Sequence, residues 1–262
     1  MSRTIYSVIV ELMHYKGVFS QFVTQQLILR YRRTFLGYLW TLINPLLMIS
    51  IMVIVFSTLF KAAPKTFAVF LFSGMIPWNC FSNIVSQSSS SFIQNESLIK
   101  KIYIPKIIFP LSISTALLVE SMLSFFAFLI IMLCLGAKLS LATFFLPIAY
   151  IILFIFTFGV ALSVSVITVF FRDLQHVIMI ILQVFFYVTP ILYPKTAFMG
   201  KFAWILDINP ITPFIDLFRA PLNSNVLPDT ATIVLTLILA CLSVVIGFLI
   251  FLRNEYKIVF RL

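Results

Sequence analysis

Acidic residues are scarce in this sequence: Asp and Glu together occupy 8 of 262 positions, and charged residues of both signs make up only 10%. A domain that faces water on all sides carries about 25% charged residues, so a purely soluble globule is excluded. Glycine occurs only seven times and no G-x-x-x-x-G-K-[ST] run is present. ATP binding through a phosphate-cradling loop of that kind is therefore excluded for this chain. The three cysteines, Cys80, Cys134 and Cys241, sit singly in apolar runs, which argues against a disulfide framework or a metal cluster and for inert thiols. The first 38 residues carry Arg3, Glu11, Lys16, Arg30, Arg32 and Arg33 without a compact apolar core and a small-residue cleavage site. No cleavable signal peptide is indicated, and the N-terminus is expected to remain in the mature protein.

What the chain has instead is apolar length. Apolar residues reach 62%, and several stretches run uncharged for the roughly 20 residues that a helix needs to cross about 30 Å of hydrocarbon. A transmembrane β-barrel would need segments of about ten residues alternating apolar and polar, and these runs are continuous. The expected fold is thus an all-α polytopic membrane protein, a single domain over residues 1–262, with six transmembrane helices at 39–60, 67–93, 107–135, 141–171, 177–194 and 231–252. The second and fourth exceed the length of a straight span, which predicts tilt or an end leaving the bilayer, in the second at the serine run 86–91.

Basic residues set the orientation. With the N-terminus in the cytoplasm, the inside segments hold Arg3, Lys16, Arg30, Arg32, Arg33, Lys100, Lys101, Lys106, Arg172, Arg253, Lys257 and Arg261, and the outside holds Lys61, Lys65, Lys138, Lys195, Lys201 and Arg219. Twelve against six favours both termini in the cytoplasm of a multi-pass protein. The formal charge of +10 is then a topology and headgroup signal, and no nucleic-acid-binding pattern accompanies it.

Three connecting segments carry structure of their own. Over residues 4–33, Val8, Leu12, Tyr15, Phe19 and Phe22 alternate at helical spacing with Glu11, His14, Gln21 and Gln25, the pattern of an amphipathic interface helix within 1–36, with Gly17 as a bend. The loop QNESLIKKIYIPK, 94–106, predicts a short helix that begins at Asn95 or Ser97 and ends before Pro105. Residues 195–229 contain the apolar pieces FAWIL and ITPFIDLF, broken by prolines and too short to cross the bilayer. A re-entrant or interfacial helical hairpin between spans five and six is expected there.

Chemistry-bearing groups are few. Glu120 is the one ionisable group inside a span; a proton-coupling role competes with a structural or channel-lining one, hydrogen-bonded to Ser114, Ser121 or Ser124. Asp173 and His176 stand three apart at the start of the fifth span, either a membrane-enzyme site acting on a lipid carrier or a helix cap paired with Arg172.

Five motifs occur in order along nearly the whole chain: LILRYRRTFLGYLWTLINPLL, NESLIKKIYIPKIIFPL, VFFRDLQHV, YVTPILYP and INPITPFIDLFR. Together they resemble the membrane subunit of ATP-binding-cassette exporters of surface polysaccharides, the Wzm, KpsM and TagG type of permease. The resemblance implies no enzymatic activity on this chain but a homodimer of six-span subunits working with two copies of a cytoplasmic ATPase, which supplies the ATP and Mg site. The implied substrate is a finished polysaccharide (O-antigen, capsule or teichoic acid) on a lipid carrier, commonly undecaprenyl pyrophosphate. It also implies coupling to the ATPase through Glu96, Leu98, Lys100 and Lys101 with Arg172 and Asp173, and an extracytoplasmic gate at Tyr193, Asn209, Pro210 and Arg219, where Arg219 could instead anchor a helix end to headgroups. Tyr38, Trp40, Trp78, Glu120 and Tyr187 are candidates to line the path, the aromatics competing with an interfacial belt role. Arg30, Arg32 and Arg33 stand before the first span, suited to headgroups or, by their forked donors, to the phosphate end of the carrier. A permease of the same architecture for a drug or simple lipid is the neighbouring reading.

Overall fold

The structure is a computed structural model and describes residues 5–29, 37–61, 63–134, 140–195 and 203–262. Among these residues every regular element is helical, as the hydrocarbon environment requires, because a helix satisfies its own backbone polar groups. The hydroxyls inside the apolar helices follow the same rule by returning to their own backbone: Thr58 donates to the Ile54 carbonyl at 2.8 Å, Thr115 to Leu111 at 2.8 Å and Thr157 to Leu153 at 2.7 Å.

In chain order the helices are α1 (Ile5–His14), α2 (Lys16–Leu29), α3 (Trp40–Leu59), α4 (Pro64–Ser89), α5 (Ser91–Gln94), α6 (Glu96–Lys101), α7 (Ile108–Cys134), α8 (Leu146–Phe170), α9 (Leu174–Val188), α10 (Ala203–Ile208), α11 (Thr212–Arg219) and α12 (Thr230–Arg261). Short 3₁₀ turns precede α3 and α8. Four stretches, Pro64–Ser89, Ile108–Leu133, Leu141–Phe170 and Thr230–Arg261, are long and apolar enough to cross a membrane. Two further apolar helices, Leu46–Leu59 and Leu174–Val188, are shorter. The chain is therefore all-helical and multi-pass.

Several boundaries differ from expectation for identifiable reasons. The second apolar run does not continue to residue 93: α4 stops at Ser89 within the serine run, and the chain breaks into α5 and α6. The fifth run begins earlier and ends at Val188, because Thr189 precedes Pro190 and is held extended (φ −77, ψ 133). The sixth runs past residue 252 to Arg261, where Glu255 and Ile258 are buried, so packing carries the helix beyond its apolar part. The break in the N-terminal amphipathic segment falls at Tyr15 rather than at Gly17, which lies inside α2. Its apolar face is real: Val8 is buried, and Phe22 meets Phe109 of α7 edge-on at 5.3 Å.

The centre of the bundle is α8, which packs against α12, α4 and α7. At its closest approach to α12 two glycines face each other. A Cβ on Gly159 would lie 2.3 Å from the Ser243 carbonyl carbon, and one on Gly247 would lie 2.5 Å from the Gly159 oxygen. Ser243 adds a hydroxyl bond across the same crossing, to the Phe156 carbonyl at 3.0 Å. Small residues at a crossing let backbones approach where lipid offers no hydrophobic drive for association. On the other flank aromatic side chains fill the space, with Phe72 stacked on Phe128 at 4.2 Å and Phe156 on Phe214 at 4.4 Å.

Gly159→Ala is expected to push α8 and α12 apart and to cost about 1–3 kcal/mol, the usual scale of overpacking. Gly17→Ala, whose Cβ meets nothing within 4 Å, serves as the control. Thermal unfolding midpoints in detergent check this, and equal midpoints for the two variants would contradict the tight crossing.

Candidate functional site

At one end of the bundle the short helices α5 and α6 fold back after α4. Asn95 holds the junction: its Nδ2 donates to the Ser91 carbonyl at 2.8 Å, while its own carbonyl receives the Leu98 and Ile99 amides at 3.1 and 3.0 Å. On α6, Lys100 Nζ donates to Glu96 Oε1 at 2.6 Å, one turn apart. That bond, with the charges of Lys100 and Arg172 behind it, holds the Glu96 carboxyl below the usual carboxylate range. A lowered carboxyl keeps its charge at neutral pH, so the pair is lost only as acid drives the pH down through that lowered value. Leu98 is half-buried beside the exposed Lys100 and Lys101.

The charge of Arg172 is felt at Glu96, so the α8–α9 turn lies on the same end of the bundle as α6. The Arg172 guanidinium donates to the Leu262 main-chain oxygen at 3.4 Å. It is not the partner of Asp173 that the sequence suggested, and Asp173, although at the N-cap position of α9, makes no side-chain cap bond. Asp173 and His176 are both exposed. Two contributors escaped sequence reasoning: Tyr103, just after α6, donates its hydroxyl to Glu11 Oε1 of α1 at 2.5 Å. Ninety-two positions separate them, and no local pattern announces such a tether.

The opposite end is built on the segment after α9. The Tyr193 hydroxyl reaches back to the last carbonyls of α9, Tyr187 at 2.7 Å and Val188 at 3.0 Å. Such terminal carbonyls have no intrahelical donor. Asn209 is buried and bonds in two directions: its Nδ2 donates to Thr189 Oγ1 at 2.8 Å and its Oδ1 receives the Ile211 amide at 3.0 Å. Pro210 is half-buried next to it, at the entry to α11. Arg219 closes the group: it is only 8% exposed, donates from Nη2 to the Ile191 carbonyl at 3.0 Å, and lies 4.0 Å over the Phe70 ring of α4. Gly74 makes room for it, since a Cβ there would stand 3.1 Å from Arg219 Nη2. Asp216 pairs with Lys195 across the same junction. Three residues picked from sequence thus tie residues 189–195 to α9, α11 and α4. The burial of Arg219 favours this role over a headgroup anchor.

This order of elements, a broken segment after the second long helix and a strapped short-helix pair before the last, can be set beside known proteins. The family model described as ABC-2 type transporter matches residues 18–223. The chain belongs to the ABC-2 type transporter family. It is 30% identical over 238 residues to the O-antigen export system permease protein RfbA of Myxococcus xanthus, covering 90% of both chains. A Klebsiella pneumoniae protein of the same name is 31% identical over 229 residues, 87% of this chain and 88% of that one. The polysialic acid transport protein KpsM of Escherichia coli is 26% identical over 196 residues, 72% of this chain and 75% of that one.

In this ABC-2 transporter chain the other sequence candidates are spread out. Trp78 is buried in the bundle, 5.8 Å from Phe81 and 5.7 Å from Phe186 between ring centroids. Trp40, at the start of α3, and Tyr187, near the end of α9, are exposed on the chain's surface. Tyr38 lies in the turn before α3, where only the backbone is described. Arg30, Arg32 and Arg33 lie outside the described residues. Glu120 borders a cavity between α2, α4 and α7. Of the hydroxyls proposed for it, Ser114 bonds to Pro110 and Ser88, and Ser121 to Tyr150.

Arg219→Lys keeps the charge but loses the fork and the ring stacking. It is expected to lower stability by about 1–3 kcal/mol and to increase protease cleavage within residues 189–195. An unchanged cleavage pattern and midpoint would show that the strap does not depend on Arg219.

Proposed function

We propose that this chain is the channel-forming permease subunit of an ATP-driven exporter that moves a lipid-linked polysaccharide across the cytoplasmic membrane. The observation that carries it is collinear similarity, near 30% identity over about nine tenths of both chains, to two proteins named O-antigen export permeases. The KpsM match extends the class to a second surface polymer. The polymer is an O-antigen, a capsular polysaccharide or a teichoic acid, carried on a lipid such as undecaprenyl pyrophosphate.

In this reading two copies of the chain form a homodimer, each with six spans, both termini in the cytoplasm and one permease domain over residues 1–262. The two shorter apolar helices, α3 and α9, complete the six. The re-entrant hairpin is α10 with α11, whose six and eight residues are too short to cross. ATP and Mg are bound by two copies of a separate ATPase. ATP binding closes that ATPase dimer and moves α6, with Glu96, Leu98, Lys100 and Lys101 as the contact and Arg172 and Asp173 flanking it. The motion opens a path between the first and fifth spans of the two copies, where the exposed Trp40 and Tyr187 present ring faces to the apolar faces of sugars. Tyr38, Trp78 and Glu120 line its approaches, Tyr193, Asn209, Pro210 and Arg219 hold its outer gate, and Arg30, Arg32 and Arg33 receive the phosphate end of the carrier at the entry.

Deleting the gene should trap lipid-linked polysaccharide inside the cell, and purification of the chain from its host should bring down an ATPase. Normal surface polysaccharide in the deletion strain would end the proposal. Leu98→Asp, at a half-buried position on α6, is expected to reduce export at least about tenfold without affecting membrane insertion, read as surface polymer per unit of inserted protein. Arg32→Gln with Arg33→Gln is expected to raise the carrier concentration needed for half-maximal ATPase stimulation several-fold. An unchanged stimulation curve would return those arginines to headgroup anchoring alone.

A further inference from the structure

A cavity of about 270 Å3 lies between the surface helix α2 and the two long helices α4 and α7. It is well above the roughly 10–15 Å3 needed for one water and close to the lower bound, about 300 Å3, of small-ligand pockets. Its wall on α7 is Ile113, Ala116, Leu117 and Glu120, the i, i+3, i+4, i+7 set that forms one helical face. Gln87 enters from α4 and Gln26 and Leu27 from α2. The cavity does not lie between the first and fifth spans but beside them, and through Glu120 it adjoins the approaches to the path described above.

The chemistry of this lining selects among ligands. Each carboxamide brings two donors and an acceptor, and the carboxylate only acceptors. An alkylammonium group has no acceptor and would leave the amide N–H groups unmet, at the cost of desolvating them. A phosphate would stand against the Glu120 carboxylate. A hydroxyl both donates and accepts, so vicinal hydroxyls meet the amides and the carboxylate together, while Leu27, Ile113 and Leu117 match the C–H face of a ring. A basic side chain joining Glu120 from elsewhere would leave the needs of the two amides unchanged.

The geometry points to a sugar-binding pocket between α2, α4 and α7, in which Gln26, Gln87 and Glu120 hydrogen-bond the hydroxyls of one pyranose ring. This inference rests on the polysaccharide-export reading and adds to it a lateral binding site, bordered by the surface helix. With Gln26 and Leu27 of the surface helix forming part of its wall, it stands where a glycan held at the membrane surface would arrive, ahead of the path. The sugar comes from the exported chain or from another membrane glycolipid, two sources with the same chemistry.

The test uses the full chain with its ATPase, in membranes of cells making the polymer. Photoreactive benzoylphenylalanine replaces Leu27, which leaves the three polar groups intact, and in separate samples Trp40 and the exposed Ile130. The probe is the cell's own lipid-linked polysaccharide, detected as periodate-reactive glycan on the irradiated permease band. Glycan is expected on the Leu27 probe and not on the Ile130 probe, and Glu120→Gln or Gln87→Leu should each cut it about tenfold. Glycan at Trp40 with none at Leu27 overturns the pocket and leaves the export reading standing; glycan at neither position overturns both. A phospholipid adduct alone at Leu27, or glycan indifferent to both substitutions, also overturns the pocket. In cells that make no exported polymer, loss of the Leu27 adduct assigns the sugar to the exported chain, and its persistence assigns it to a membrane glycolipid; either supports the site.

Discussion

The contact of α8 with α12 is the constraint on which the rest of the bundle depends. Gly159 and Gly247 bring two backbones to a separation that no side chain could share, and the Ser243 hydroxyl locks the register of the crossing. With that pair fixed, the opposite faces of α8 are free to receive α4 through the stacked pair Phe81–Phe156 and α7 through the edge-on pair Phe125–Tyr150. Tyr150 and Phe156 of α8 also receive α11, through Phe218 at 5.0 Å and Phe214 at 4.4 Å. The short helices near the second end are thus seated on the same pillar as the long ones.

The helix that joins the two ends is α4. Its 26 residues span about 39 Å, running from Phe70 and Gly74, which hold Arg219, to Ser89, where the chain passes into α5 and α6. Pro77 sits inside it and deprives the Ser73 carbonyl of its intrahelical donor. That break lies a single turn from Gly74, so the most deformable point of α4 adjoins the Arg219 strap. A displacement of α6 in the proposed cycle would pass through the short α5 into α4 and along it, past Pro77, to the Arg219 strap.

Much of the architecture was legible because hydrocarbon imposes a simple code. Uncharged length predicted six spans, and among the described residues four helices are long and apolar enough to cross while two apolar helices are shorter; the short helices within 94–106 and 195–229 followed from polar residues and prolines. What escaped was decided by tertiary packing. α12 runs on to Arg261 because Glu255 and Ile258 find buried positions, which hydropathy cannot see. The Asp173 cap and its pairing with Arg172 were inferred from adjacency, yet Arg172 turns to Leu262 instead. Asn209 and Arg219 were identified by motif, but their partners, Thr189, Ile191 and Phe70, lie 20 to 149 positions away and could not be read locally. Gln26 and Gln87 carried no signal at all, since each is an ordinary polar residue until three helices bring them to Glu120.

The scarcity of acid with which the sequence opens acquires a reason in this geometry. In a chain of net charge +10 each carboxylate has a surplus of cations to choose from, so where the acids stand is informative. Glu96 braces α6 through Lys100, Asp216 ties α11 to residue 195, and Glu11 tethers the surface helix α1 to the segment after α6. These three act at the ends of the bundle, where water screens them and a surface pair contributes at most about 1 kcal/mol. Their value lies in fixing the orientation of short elements that have little apolar area of their own. Glu255 is buried near the end of α12, beyond its apolar part, whereas Glu120 stands within the apolar α7, where a carboxylate costs about 3 kcal/mol to insert unless its surroundings compensate. Two carboxamides share with Glu120 the lining of one cavity, and that polar lining is what makes the cavity competent for hydroxyls.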